Sequence, residues 1–294
     1  MPEPQAFVVS PKEAGQRLDR VLRRRYPQWG RQAVGRLISG RGVRVNERVV
    51  WLCSWKLQAG DSIRILQLPT AKAPPVAQLD PIWVIYESPE LLVVNKPAGL
   101  LSEGTRWGQG SNLLDLAAGC YGPLHLFHRL DRDTSGLVML TRGGEINRQL
   151  DAAFKAGLVV REYVALVSAP WTLELEGEVR TYLARHPQRR DKMTVVERGG
   201  KRAHTRYQVI GQRGRRVCLR LWPVTGRTHQ LRVHLAHLGK PFLGDRMYGV
   251  VGDTTERLML HAWRIKLPPL GEEPERCFAA SLPPEWSPWC EALE

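Results

Sequence analysis

Cysteine is scarce and scattered. The five in 294 residues (Cys53, Cys120, Cys218, Cys277, Cys290) are odd in number and form no CxxC pair, so neither a disulfide framework nor a thiolate zinc site is suggested and reduced, structural thiols are expected. Long apolar runs are missing as well. No stretch reaches the roughly 18 residues that a membrane-spanning helix needs, and the start, MPEPQAFVVSPKEAG, lacks the charged-then-apolar order of a signal peptide. The chain reads as soluble and cytoplasmic. There is no GxxxxGK(S/T) phosphate loop, which leaves Lys96 before Pro97 without a nucleotide-binding context. No repeat of fixed period stands out. Acidic residues are also short: 29 stand against 43 lysines and arginines, for a formal net charge of +14. That excess favours a polyanionic partner, nucleic acid first, but by itself proves nothing catalytic.

What is present divides into two parts. Residues 16 to 40 carry two helical patterns, Leu18-Val21-Leu22 and Val34-Leu37-Ile38, separated by Pro27 and Gly30. Their other faces hold Arg17, Arg20, Arg23, Arg24, Arg31 and Arg36, a single-sign crowding that suits phosphate binding. Val43 to Val50 alternates like a strand with a turn at Asn46, and Ile63 and Ile65 flank Arg64 in another. Proline and alanine then dominate from Leu68 to Pro81, as expected of a linker. The expected domains are 1–70, a linker over 71–81, and 82–294.

In the second part, strands are expected at Ile82 to Tyr86, Leu91 to Val94, Leu137 to Thr141, Tyr163 to Val167, Thr205 to Ile210 and Val217 to Trp222. Ser111 could cap a helix carrying Leu113, Leu114, Ala117 and Ala118; Ile146, Leu150 and Phe154 mark a second; Leu231, Leu235 and Leu238 mark a third, ending at Gly239. Many strands with few helices and no regular alternation predict an α+β fold with a mixed, largely antiparallel sheet.

Three pieces put charged or aromatic residues where core packing does not ask for them. They are His128-Arg129-Leu130-Asp131 with Arg132-Asp133-Thr134-Ser135-Gly136 after it, Arg161-Glu162-Tyr163, and Thr225 to His234 with Arg227, His229, Gln230 and Arg232. If the first is extended, Arg129 and Asp131 share one face, and His128 and Leu130 the other. A partly buried carboxylate needs a cation to stay ionised, and Arg232 is the candidate partner for Asp131. Such a carboxylate can act as nucleophile or general base. Tyr163 could stack on a base and exchange a proton. From spacing alone, an Asp131–Arg232 contact could equally be a structural ion pair. His128, His229 and His234 match no metal-site spacing, and His229 and Gln230 could simply satisfy backbone groups at a helix start. The basic runs 185–192 and 199–206 could be solvated loops, but so large a net charge favours RNA contact.

Two resemblances sharpen this. Residues 1–70, with LISGRGVRVNERVV and a GD turn, resemble the small RNA-binding domain named after ribosomal protein S-four, which implies RNA contacts by Arg17, Arg20, Arg36 and Arg41. HRLDRDTSGL, LLVVNKPAGL (Leu91 to Leu100), REYVALV (Arg161 to Val167), Thr225 to Gly249 and LHA (Leu260 to Ala262) together resemble the Rlu family of pseudouridine synthases, which modify large-subunit ribosomal RNA. That resemblance implies the pseudouridine synthase fold and isomerisation of uridine with no metal or organic cofactor. By residue, it implies Asp131 as the catalytic aspartate, Arg129 as the side chain filling the helix when the base flips out, Tyr163 stacked on that base, and Arg232 paired with Asp131. His128, Arg227 and His229 are further expected RNA contacts. Where family members often have a histidine and proline after NKPAGL, this chain has Ser102-Glu103-Gly104. The protein is expected to be a monomer. The competing readings are a non-catalytic RNA-binding or ribosome-assembly factor and an RNA-directed glycosidase using Asp131.

Overall fold

The computed structural model describes residues 6–27, 29, 31–39, 42–50, 52–66, 79–104, 112–189 and 191–290. They fall into two compact units, residues 1–75 and 76–294. In the first, strands β1 (Ala6–Val8), β2 (Val43–Val45), β3 (Arg48–Val49) and β4 (Ser62–Ile65) form a sheet in the order β1-β4-β2-β3, with helices α1 (Leu18–Arg25) and α2 (Arg31–Ser39). The two helices exist because their i, i+3, i+4 apolar residues close one core with the strands: Leu18, Leu22, Val34 and Ile38 are wholly buried with Val43 and Ile63. Asn46 and Glu47 both take positive φ, 49° and 62°, as the tight turn between β2 and β3 requires. Arg25 grips Glu13 with Nε and Nη2 at 2.9 and 2.7 Å, and that hydrogen-bonded cation holds the Glu13 carboxyl down at about 2.

The second unit is a broad sheet of β5 (Val84–Glu87), β6 (Leu91–Lys96), β7 (His125–Leu126), β8 (Ser135–Thr141), β9 (Val160–Ser168), β10 (Glu176–Arg185), β11 (Met193–Val196), β12 (Lys201–Arg213), β13 (Arg216–Pro223), β14 (Leu260–Leu267) and β15 (Arg276–Ala279). The main order is β11-β10-β12-β13-β9-β14-β8-β6-β5, with β15 on β14 and β7 on β8. Among the described strands only β14 and β8 pair in parallel, so the fold is α+β with a mixed, largely antiparallel sheet. Helices are few: α3 (Leu113–Tyr121), α4 (Gly144–Lys155), α5 (Gln230–His237) and the short α6 (Ser287–Cys290). Strand alternation splits the core in two. Leu92, Val94, Val138 and Leu140 face α3 through Leu113 and Leu116, while Leu91, Val93, Leu137 and Met139 face α4 through Ile146 and Leu150. With both faces covered, β8 is buried along its whole length.

Several expectations need correction. Pro81–Trp83 is a 3-10 turn capped by Asp80, and the strand begins only at Val84, because proline has no N–H for a ladder. Ser111 lies outside the described residues; Asn112 caps α3 by accepting the Asp115 N–H. The run 199–206 is not a loop: from Lys201 it is β12, with Ala203, Thr205 and Tyr207 inward and Arg202, His204 and Arg206 outward. The outward charges hid that alternation, and β10, β11, β14 and β15 were missed. Residues 67–78 of the expected linker lie outside the described residues, whereas Leu79 packs in the core of the second unit. The stretch from His128 to Asp131 is not an extended edge. After β7 the chain leaves the ladder and turns at Arg132-Asp133 before β8 starts at Ser135, so strand alternation does not orient Arg129 and Asp131.

Candidate active site

Lacking ladder bonds, the loop carrying Asp131 is held by side chains. Ser102 Oγ donates to the Leu130 carbonyl at 3.0 Å and accepts the Leu130 N–H at 3.1 Å. Lys96, at the end of β6 and wholly buried, donates Nζ to the carbonyls of Pro97, Leu100 and Arg132 at 2.9, 2.8 and 3.1 Å. Burial lowers its ammonium to about 7, with Asp133 and Asp131 opposing the fall. Gly136 then lets β8 come close to β14: its φ is +112°, and a Cβ there would stand 2.2 Å from the Ala262 carbonyl oxygen. Ala262 in turn pairs with Tyr163 on β9. One close approach therefore ties the Asp131 loop to the strand bearing Tyr163.

Opposite the loop, β13 ends at Pro223 and the chain turns through Thr225-Gly226 into α5. Gln230 fixes the turn. Its Oε1 accepts from Thr225 Oγ1 and the Arg227 N–H at 2.6 and 3.1 Å, and its Nε2 donates to the His204 carbonyl at 2.9 Å. The buried first turn of α5 brings Arg232 to Asp131, Nη1 to Oδ2 3.0 Å. The same guanidinium makes a two-pronged contact with Asp245, Nε to Oδ2 and Nη2 to Oδ1 both 2.8 Å. The Asp245 side chain has no exposed surface, that of Arg232 keeps 8% and that of Asp131 28%. Burial opposes the charge on Arg232, but hydrogen bonds to Asp245 and Asp131 outweigh it and raise the guanidinium further. Burial likewise opposes ionisation of Asp245, and the Arg232 contact overcomes it and lowers the carboxyl. Asp245 also accepts the N–H groups of Met247 and Tyr248 at 2.9 and 3.0 Å. The buried acid thus fixes the arginine, and the arginine presents an Nη1 N–H to the partly exposed acid.

His229 borders the same pair. It sits at φ +54° with Nε2 3.7 Å from Asp131 Oδ2, and its Nδ1 is 2.9 Å from the Tyr248 hydroxyl. That hydroxyl accepts the Met193 N–H at 2.8 Å, so its own proton goes to Nδ1, and the network assigns the His229 proton to Nε2, toward Asp131. Burial lowers the imidazole, favouring this neutral form.

These groups surround a hollow of about 350 Å³ that Asp131, Thr134, Arg161, Tyr163, His229 and Arg232 line. Tyr163 is 9% exposed, and burial raises its phenol above the ordinary 10.0, with nearby Asp131 adding to the rise and Arg161 opposing it. Arg129, at the rim, is exposed and paired with Glu103 at 2.5 Å. A pair this open to water is worth at most about 1 kcal/mol, so it does not lock the arginine in place. Arg227 also lines the hollow and donates Nε to the Arg202 carbonyl at 2.9 Å.

His128 borders the hollow, but it is engaged structurally. Its Nε2 accepts the Met139 N–H at 3.2 Å, and burial lowers the ring to about 3, so it supplies no positive charge for RNA. Arg17 and Arg20 belong to the first unit, where they line a groove with Arg23, Arg24 and Trp29; Arg17 there pairs with Asp19 at 2.9 Å. Arg41 and the Arg36 side chain lie outside the described residues. Asp245, Tyr248, Lys96 and Ser102 were not singled out as site residues. For Asp245 a signal existed, since a buried guanidinium needs more than one partly exposed carboxylate to offset its desolvation.

Residues 90–237 match a family model described as RNA pseudouridylate synthase. Ribosomal large subunit pseudouridine synthase D of Nitrosomonas europaea is 33% identical over 86% of this chain and 77% of its own length. Ribosomal large subunit pseudouridine synthase C of Vibrio cholerae is 32% identical over 86% and 85%. Among solved structures, human RNA pseudouridylate synthase domain containing 4 aligns with a TM-score of 0.57 at 27% identity, over 71% of this chain and 92% of that one. Human RNA pseudouridylate synthase domain containing 1 aligns with a TM-score of 0.61 at 25% identity, over 76% and 90%.

Proposed function

The chain belongs to the RNA pseudouridylate synthase family, and from that membership we propose that it converts uridines of large-subunit ribosomal RNA to pseudouridine in the Asp131 hollow. The names of the relatives support ribosomal RNA as the substrate. Isomerisation breaks the bond from uracil N1 to C1′ of the ribose and makes one from C5 to C1′; C5 loses a proton and N1 gains one, so composition is unchanged. A uracil stacked in a helix cannot turn about its own ribose. It must be extruded, at a cost of a few kcal/mol. Arg129, exposed at the rim and loosely paired, is suited to fill the gap it leaves. Phosphate contacts across a surface of net charge +14 offset the cost.

Inside the hollow, the Asp131 carboxylate meets the ribose as the bond to N1 breaks, acting as nucleophile or as the counter-charge to a cationic sugar. Arg232 fixes its position through the Nη1 contact. Tyr163 stacks against the base, and a phenol raised above 10.0 stays protonated at neutral pH, so it has a proton to relay. The single observation carrying this reading is the chain Asp245–Arg232–Asp131, which runs from a fully buried acid to one open to the hollow.

Residues 1–70 serve as an S-four-like RNA-binding domain through the Arg17, Arg20, Arg23 and Arg24 surface, with the catalytic domain spanning 82–294. Ribosomal RNA is met in the cytoplasm, the compartment we propose, and the protein acts as a monomer. With RNA tritiated at uridine C5, the wild type is expected to release tritium without creating abasic sites. Asp131→Asn is expected to lower release at least about 100-fold while RNA affinity survives. Near-normal turnover by that variant would remove Asp131 from the mechanism, and abasic product would mean hydrolysis instead.

A further inference from the structure

The outward face of β10 and β12 carries a second hollow, beside the one that holds Asp131. Arg180 and Tyr182 on β10 stand opposite His204 and Arg202 on β12, and with Val224 they line an open dish of about 430 Å³. Two of its residues are apolar surfaces left in water: Tyr182 is 43% exposed and Val224 54%. Glu178, next along β10, is already bound, to Arg180 at 2.8 Å and to His204 Nε2 at 2.7 Å. Arg202 has no acidic partner among the described residues. The dish adjoins the reaction hollow. Thr225 lines both, and Arg227 lines the latter while donating to the Arg202 carbonyl. Farther along the sheet a neighbouring dish has Trp222 and Arg206, but Glu176 and Glu178 line it, so a polyanion is not drawn that way.

We propose that the Tyr182 dish binds one unpaired nucleotide of the RNA strand next to the target uridine, stacking its base on Tyr182 and Val224 and its phosphate on Arg202 and Arg227. An exposed aromatic on a sheet next to an arginine without an acidic partner is the combination that holds single-stranded RNA. The volume admits one nucleotide, and adjacency to the Asp131 hollow makes that nucleotide a near neighbour of the flipped base. This deepens the reading of the protein as an RNA-modifying enzyme and rests on it. Its consequence is that unpaired residues flanking the target contribute to selection.

The test uses the full chain, in vitro transcribed large-subunit ribosomal RNA for turnover and a labelled oligouridylate for binding by fluorescence anisotropy. Tyr182→Ala is expected to raise KM and the oligouridylate Kd about 5-fold, with kcat within about 2-fold, and Tyr182→Phe to restore both, since the ring is what stacks. Arg202→Ala is expected to reduce the slope of log affinity against log salt by about 0.7, whereas Tyr182→Ala leaves the slope unchanged. Unaltered KM and affinity in Tyr182→Ala, or a loss confined to kcat, would overturn the proposal. So would equal binding of polyglutamate in competition with the oligouridylate, which would assign the dish to an acidic protein. Should the wild type release no tritium from any ribosomal RNA, the assigned reaction falls, while the anisotropy arm still decides what the dish binds.

Discussion

At the scale of single residues, the site depends on a carboxylate that does not touch the hollow. Asp245 and Arg232 form a two-pronged pair with almost no exposed surface. Buried pairs of this kind gain little over apolar packing, yet losing one partner leaves an uncompensated charge and costs about 3–5 kcal/mol. Asp245→Ala is therefore expected to lower the urea midpoint by an amount equivalent to that cost, and to lower kcat along with it because Arg232 no longer presents Nη1 to Asp131. Asp245→Asn, which keeps one acceptor for the guanidinium and the shape of the site, is expected to recover part of the stability. Equal stability of the alanine variant and the wild type would show that Arg232 is charge-balanced by something else. Arg129 is the opposite case, since its contact with Glu103 is open to water and easily given up.

At the scale of elements, the decisive contact is the parallel pairing of β8 with β14, in which Gly136 lies against Ala262. A methyl group there meets backbone 2.2 Å away, and φ of +112° is strained for any other residue. Gly136→Ala is expected to cost several kcal/mol, more than the 1–3 kcal/mol typical of overpacking, because the obstructing atoms are backbone and cannot turn aside. Thermal unfolding measures it, and a change in melting temperature of less than about 2 °C would contradict the close approach. The helix elements were legible in the sequence because their apolar spacing coincides with burial: Leu18, Val21 and Leu22, or Ile146 and Leu150, are the residues that pack. β12 was legible only from Thr205, and β10 not at all. Each shows one face to water, and arginines on that face make an alternating strand look like a basic loop.

For the whole molecule, buried histidines set the response to acid. His128 and His261 are lowered to about 3 and His234 to about 4, each mainly by burial, from an ordinary value of 6.5. Because the folded values lie below the unfolded one, the unfolded chain takes up protons first as pH falls. The histidines' contribution is complete above 6.5 and declines from there toward the folded values, whereas that of Lys96, lowered from 10.5 to about 7, is lost at higher pH, between those two values. Carboxylates lowered in the folded state, such as Glu13 at about 2 from 4.5, add their loss only below 4.5. The window from 6.5 to 4.5 therefore belongs to the histidines. His234 is wholly buried between the hydroxyls of Thr181 and Thr205, at 3.0 and 2.8 Å. His234→Gln keeps a neutral hydrogen-bonding side chain and is expected to flatten the fall in unfolding free energy by about 1 kcal/mol per pH unit in that window. Urea titrations at several pH values between 6.5 and 4.5 measure it, and an unchanged slope would mean that the ring is already protonated in the fold.

The sequence alone determined the chemistry on offer: an excess of cations, a charged run ending in a buried strand, and the candidates Asp131, Tyr163 and Arg232, because residue types and local periods are properties of the chain itself. Tertiary structure decided what those residues meet. Asp131 and Arg232 are a hundred positions apart, Asp245 reaches the same guanidinium from a third segment, and Ser102 and Lys96 brace a loop that no ladder bond holds. No local period encodes such contacts. They form only when β8, β9 and β14 are packed side by side, and the burial that perturbs Lys96, His229 and Tyr163 comes into being at the same moment.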